Sequence, residues 1–149
     1  MSTFAHASGA GGYFQGQFFQ TPFPGHILDH YGHDINILEP LAIMVALKLW
    51  APALCGQCFI LNCDNKNCVL FLNSGRSCTC SMQLCLCEIR FLSAALYFKL
   101  AAHHIQGISN SVADHPSHWH YPQVTRLISK LSQPTFPQYT NHVLRNSSI

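Results

Sequence analysis

Apolar and polar positions change period several times along the chain, and each change marks an element. Thr3-Phe4-Ala5-His6 has strand character and runs into Ser8-Gly9, a turn signal. Gly12-Tyr13-Phe14-Gln15-Gly16-Gln17-Phe18-Phe19 then places two short aromatic runs about a glycine. This predicts a β-hairpin in which Gly16 supplies the positive φ of a tight turn. Residues 20–34, rich in Pro, Gly and His, read as a loop.

A helix is expected next, with Asn36 at its N-cap and Glu39 three residues on, a capping-box pattern. Leu38, Leu41, Ala42, Val45 and Leu49 follow at helical spacing, while Ile43, Met44, Leu47 and Trp50 make the other side apolar too. A helix apolar nearly all round is one buried among other elements. Pro40 falls in its first turn, where the missing N–H costs little, and Pro52 and Gly56 are expected to end it. The run Cys58-Phe59-Ile60-Leu61-Asn62-Cys63 closes on Asp64-Asn65 and reads as a central strand buried on both faces. A carboxylate just past such a strand lies where open α/β sheets hold functional groups. Further on, residues 67–72 form a short helix ended by Asn73-Ser74-Gly75, and residues 81–97 a long one carrying Met82, Leu84, Cys85, Ile89, Leu92 and Leu96. Residues 98–105 read as a last strand and 112–119 as a terminal helix. After Tyr121 the composition turns to Pro, Ser, Gln and Thr. The chain therefore divides into a domain over 1–120 and a linker or tail over 121–149.

The 149 residues suit one domain, and 48% of them are hydrophobic, ample for its core. Charged residues are only 9%, against roughly 25% in ordinary soluble domains. A formal charge of +2 leaves no basic footprint that would argue nucleic-acid binding unaided. The first twelve residues lack the basic start and apolar run of a secretory leader. The longest apolar stretch, 38–54, is interrupted by Pro40, Lys48 and Pro52 and carries Glu39, so a buried helix is expected and no membrane partner. These features give an intracellular reading.

Eight cysteines without a leader argue against a disulfide framework. Cys55-x-x-Cys58 has zinc-knuckle spacing that Cys63, Cys68, Cys78 and Cys80 would complete, giving a cysteine-rich zinc protein as one reading. Against it, Cys55 and Cys58 straddle the start of a strand, and Cys78/Cys80 and Cys85/Cys87 are separated by single residues. His26, His30 and His33 with Asp29, and His115, His118 and His120, are two further sets of transition-metal donors. Solvated loop histidines are the default for both.

Four stretches in order resemble one family. They are His6-Ala7-Ser8-Gly9 with Gly11-Gly12-Tyr13-Phe14; Ile35-Asn36-Ile37-Leu38-Glu39 leading into Ala46-Leu47-Lys48-Leu49-Trp50-Ala51-Pro52; Cys63-Asp64-Asn65; and His104-Ile105-Gln106-Gly107 with Asn110, Ala113-Asp114 and Ser117. Over about residues 4–120 the chain resembles the ribonuclease H domain of retroelement polyproteins, nearest the DIRS-like, tyrosine-recombinase class. The resemblance implies an α/β, ribonuclease H-like fold: a five-stranded mixed sheet, its hairpin strands antiparallel and later ones parallel, with helices on both faces. It implies hydrolysis of the RNA strand of an RNA–DNA hybrid by two Mg²⁺ ions about 4 Å apart, bound by carboxylates. Those roles fall on Glu39, Asp64 and Asp114 as metal ligands and on the position held by His6, with His104 matching a histidine that helps release product. A reverse transcriptase would precede such a domain and a tyrosine recombinase follow it.

Taken singly, Glu39 is a capping residue, Asp64 a turn residue, Asp114 a solvated helix residue and His104 an ordinary strand histidine. Their joint order makes them descendants of a catalytic set. Two departures change the expected function. His6 replaces the first aspartate, removing a negative charge and a bidentate oxygen ligand together, so two-metal hydrolysis is expected to fail. Cysteines also stand where the family is often basic, at Cys55, Cys58, Cys78 and Cys87, and His118 follows Ser117 where the family closes on Ser-Arg. Arginine codons beginning CG become Cys, His or Gln codons by one transition, so one process accounts for both the excess Cys and His and the scarce Arg. The second reading is a non-catalytic nucleic-acid-binding module, holding its partner weakly for want of those cations.

Overall fold

A computed structural model describes residues 1–6, 9–77 and 79–106, with His6 described in its backbone only. The expected helix over 112–119, the tail over 121–149, Asp114 and the His115, His118 and His120 group lie outside the described residues, as does Cys78.

The elements are β1 (Ser2–His6), β2 (Gly9–Phe14), β3 (Gln17–Thr21), α1 (Gly25–Tyr31), α2 (Ile35–Leu49), α3 (Ala51–Leu54), β4 (Cys58–Cys63), α4 (Lys66–Ser74), α5 (Cys80–Ala95) and β5 (Lys99–His104). They build one five-stranded sheet in the order β3-β2-β1-β4-β5. Strands β1 to β3 are antiparallel neighbours, whereas β4 runs parallel to both β1 and β5. This is the mixed α/β architecture that the ribonuclease H resemblance implies.

The hairpin turn is two residues long, because Phe14 pairs with Gln17. Both Gln15 and Gly16 have positive φ, 49° and 81°, so the turn demands the left-handed conformation twice and not at Gly16 alone. One face of the sheet carries the core. Phe14 and Phe19 pack on Trp50 of the α2–α3 junction, with ring centroids 5.6 Å apart in each case. Gln17 Oε1 accepts a hydrogen bond from the same indole at 3.1 Å. Leu61, Cys63 and Ala102 are buried on that face. Every residue of α2 from Ile37 to Leu47 is buried, as its all-round apolar character predicts.

Helix α5 lies behind α2, tied by a Lys48–Glu88 ion pair at 2.7 Å. The Arg90 guanidinium donates to the Leu72 carbonyl at 3.0 Å and joins α5 to α4. Helices α2 and α4 contact both the sheet and each other; the helix expected over 112–119 lies outside the described residues. Strand β4 is central, but its outer side is not covered by the described elements as expected: Ile60 is 58% exposed.

Several expected boundaries move. Asp34, not Asn36, caps α2, its carboxylate accepting from the Asn36 N–H at 3.0 Å. Glu39 therefore makes no capping box. Starting at Ile35 puts Pro40 in the second turn, where it deprives the Asn36 carbonyl of its helical amide. Helix α2 ends at Leu49, and Pro52 sits in the first turn of α3, not past a helix end. The expected loop over 20–34 contains α1, whose Ile27 is buried in the core although the flanking sequence is polar.

The free side of β5 is closed by one residue. Asn73 Nδ2 donates to the Ala102 carbonyl at 2.8 Å, and its Oδ1 accepts from the Ala102 N–H at 2.9 Å. A side-chain amide thus replaces one rung of a sixth strand. Replacing Asn73 by Ala is expected to cost about 1–2 kcal/mol, two modest hydrogen bonds, as a lowered urea midpoint at unchanged slope. An unchanged midpoint would show that these bonds contribute nothing.

Candidate metal centre

The register of β1 against β4 sets up the site. The Met1 ammonium donates to the Ile60 carbonyl, the Asn62 N–H to the Met1 carbonyl, and Ser2 pairs with Asn62. Continued in that register, the Ala5 N–H would meet the Asp64 carbonyl. It does not. Strand β4 ends at Cys63, and the Ala5 N–H instead donates to Glu39 Oε1 at 2.8 Å. The Asp64 carbonyl accepts from His104 Nε2 at 3.1 Å. β1 outruns its neighbour, and a carboxylate from α2 occupies the gap.

Helix α2 delivers Glu39 from the sheet-facing side, and only 1% of its surface is exposed. Alternation along β4 turns Leu61 and Cys63 to that same side. The Cys63 thiol donates to Glu39 Oε2 at 3.6 Å and lies within 3.8 Å of the Asn65 carbonyl. Asp64 is exposed, and its ligand atom, those of Glu39 and that of Cys63 all lie within 4.8 Å of one another. The loop holding Asp64 is pinned at both sides. Asn65 caps α4, accepting from the Asn67 and Cys68 N–H groups. Asn65 and Asn67 also donate to Asn36 Oδ1 at the start of α2.

Burial is the largest influence on Glu39, followed by the charge of the Cys63 sulfur. Together they hold its carboxyl at about 9 against an ordinary 4.5, despite the favourable Ala5 N–H. The Cys63 thiol is lowered, chiefly because the Cys68 thiol donates to its sulfur. Cys68 is raised by that same hydrogen bond and by burial. Burial pushes Cys85 up to about 11.

Comparison with known proteins gives a fold-level likeness alone. No family model and no curated protein matches the chain. A solved structure, the N-terminal RNase H domain of rv2228c from Mycobacterium tuberculosis fused to maltose-binding protein, is similar to it at 12% identity. The alignment covers 89% of this chain and 94% of that one, with a TM-score of 0.49. Identity that low transfers no residue role.

Among the sequence-predicted site residues, the Glu39 and Asp64 carboxyl groups come together, His104 reaches the Asp64 backbone carbonyl, and position 6 directly follows the Ala5 amide that Glu39 holds. The His6 side chain and Asp114 lie outside the described residues. Cys63, expected only as part of a zinc set, is the neighbour that sequence reasoning missed. Alternation groups Cys63 with Leu61 on one face, but the sequence alone does not say that this face receives Glu39. The wider zinc set does not assemble: among the described residues Cys55, Cys58 and Cys80 are exposed and join no group of three metal donors, and neither do His26, His30, His33 and Asp29.

The implied pair of Mg²⁺ ions does not fit the described donors. Mg²⁺ takes hard oxygen ligands in near-octahedral geometry. Here one oxygen of Glu39 is held by Ala5, the other faces a thiol, and the third donor in reach is sulfur.

An acid held above its ordinary range binds its proton more tightly when folded, so its stabilising effect is complete below about pH 4.5 and is lost as pH rises towards about 9. In chelator-treated protein the melting temperature is expected to fall steadily across that window. Glu39→Gln, which imitates the protonated form, should flatten the fall and melt higher at pH 8. Parallel profiles for the two proteins would refute the assignment.

Proposed function

We propose that this chain is a degenerate retroelement ribonuclease H domain of DIRS-like descent. Its ancestral reaction is hydrolysis of the RNA strand of an RNA–DNA hybrid, and this copy no longer performs it. The observation that carries the reading is the convergence of Glu39 and Asp64, distant in sequence, within 4.8 Å where β1 outruns β4. His104 stands at the same end of the sheet. Chemistry of this class needs carboxylates from scattered positions gathered at strand ends, and here two are gathered.

Loss of the reaction follows from the missing first aspartate. Residue 6 is His in place of an aspartate, which removes a negative charge and a bidentate oxygen ligand together. Weak substrate binding follows from the surface. Cys55, Cys58 and Cys87, at positions often basic in the family, are exposed, although free cysteine is among the most buried residue types. Each such replacement removes a phosphate contact from any hybrid-binding face. Fusion to a reverse transcriptase and a tyrosine recombinase belongs to the ancestral polyprotein.

The test is cleavage of an RNA–DNA hybrid in Mg²⁺ by the full chain, by His6→Asp and by His6→Asp with Cys63→Ser. The unmodified chain is expected at background. Cleavage should appear in the reversions and vanish again when Asp64→Asn is added. Ordinary cleavage by the unmodified chain would overturn the loss of activity, and background in every reversion would overturn the site.

A further inference from the structure

We propose that Glu39, Cys63 and Asp64 form a site for one borderline divalent cation of the zinc class, in place of the Mg²⁺ pair. The inference builds on the proposed function in using the same pocket, but it concerns what the present residues bind and not what the ancestor did.

Three donors from different parts of the fold meet there: a carboxylate from α2, a thiol from the end of β4 and a carboxylate from the turn that follows. Two oxygens and one sulfur suit Zn²⁺ or Co²⁺, which accept thiolate and carboxylate together. Ligand atoms on a tetrahedral zinc stand roughly 3.5 Å apart. Cys63 Sγ and Glu39 Oε2 are already 3.6 Å apart, and all three atoms are within 4.8 Å, so closing on an ion needs small side-chain turns only.

A second observation points to a cation independently. Glu39 is 1% exposed, yet among the described residues no Lys, Arg or His pairs with it. An acid that deep is costly to ionise without a counter-charge, and a bound cation supplies one. The surroundings also resemble an outer shell. The Ala5 N–H fixes Glu39 Oε1, and the Cys68 thiol donates to the Cys63 sulfur, the direction of bond that a metal thiolate accepts. Asp64 is exposed and gives the ion a way in from solvent. On binding, the Cys63 S–H and Glu39 O–H bonds break, both protons pass to buffer, and the sulfur and carboxylate lone pairs form the bonds to the metal. The remaining coordination position is open to water.

The experiment uses the full chain, stripped with chelator and kept reduced, titrated with Co²⁺. One Co²⁺ per chain is expected, with a thiolate-to-cobalt charge-transfer absorption. That band should persist in the Cys55→Ser/Cys58→Ser variant and disappear in Cys63→Ser. Zn²⁺ should displace the cobalt one for one, and Mg²⁺ in large excess should not. Because Cys63 is buried and its replacement risks the fold, Asp64→Asn at an exposed position provides the second arm. It should weaken Zn²⁺ by roughly tenfold or more, the loss seen even for residues behind a metal's ligands, with an unchanged circular dichroism spectrum. No thiolate band, a band that follows Cys55 and Cys58, displacement by Mg²⁺, or full affinity in Asp64→Asn would each overturn the proposal. The two readings fail separately, because hybrid cleavage by the unmodified chain refutes the loss of hydrolysis and leaves the cobalt spectrum as it is.

Discussion

One hydrogen bond organises the functional end of this molecule: the Ala5 N–H donating to a buried Glu39 carboxylate. A parallel ladder that stops early leaves an amide facing empty space, and an unpaired buried amide costs about 1–3 kcal/mol. Glu39 satisfies it from the neighbouring layer, which fixes both the rotation of α2 and the height of β1 over the end of β4. Everything else at the site follows. Asp64 emerges where β4 stops, and its carbonyl, released from the β1 ladder, is taken by His104. The gap between two strand ends and the carboxylate that fills it are one constraint seen from two sides.

The rest of the fold keeps that gap rigid with little help from charge. Helix α2 is enclosed by β1 and β2, α4 and α5, and its buried run from Ile37 to Leu47 supplies most of the core's aliphatic volume. Three asparagines, 36, 65 and 67, clamp the starts of α2 and α4 together beside Asp64. Neutral amides suit a chain with 9% charged residues, because they hold a loop without salt-screened ion pairs. Thiols fill the space behind Glu39: Cys63, Cys68 and Cys85 are all buried. This soft, polarizable lining packs as small hydrophobes do and sets what the carboxyl group faces.

The order of elements was readable from periodicity and punctuation, because each element with a strong pattern lies between Gly, Pro or Asn signals. Helix α1 was not, since seven residues with one buried apolar side chain carry no helical stripe. The cap of α2 was misread for a local reason: Asp34 and Asn36 are both good capping residues, and only the path of the preceding chain decides between them. At the site, the pairing of Glu39 with Asp64 came from their order in a resemblance. The part played by Cys63 needed the register of β4, which fixes the face each side chain takes and which no local pattern encodes.

Asn73 has a consequence for how the protein behaves in company. An open sheet border is a template on which other chains can add strands. Here the outer rung at Ala102 is occupied by an amide that mimics a visiting backbone. A visiting strand would have to displace that amide before it could pair at this rung.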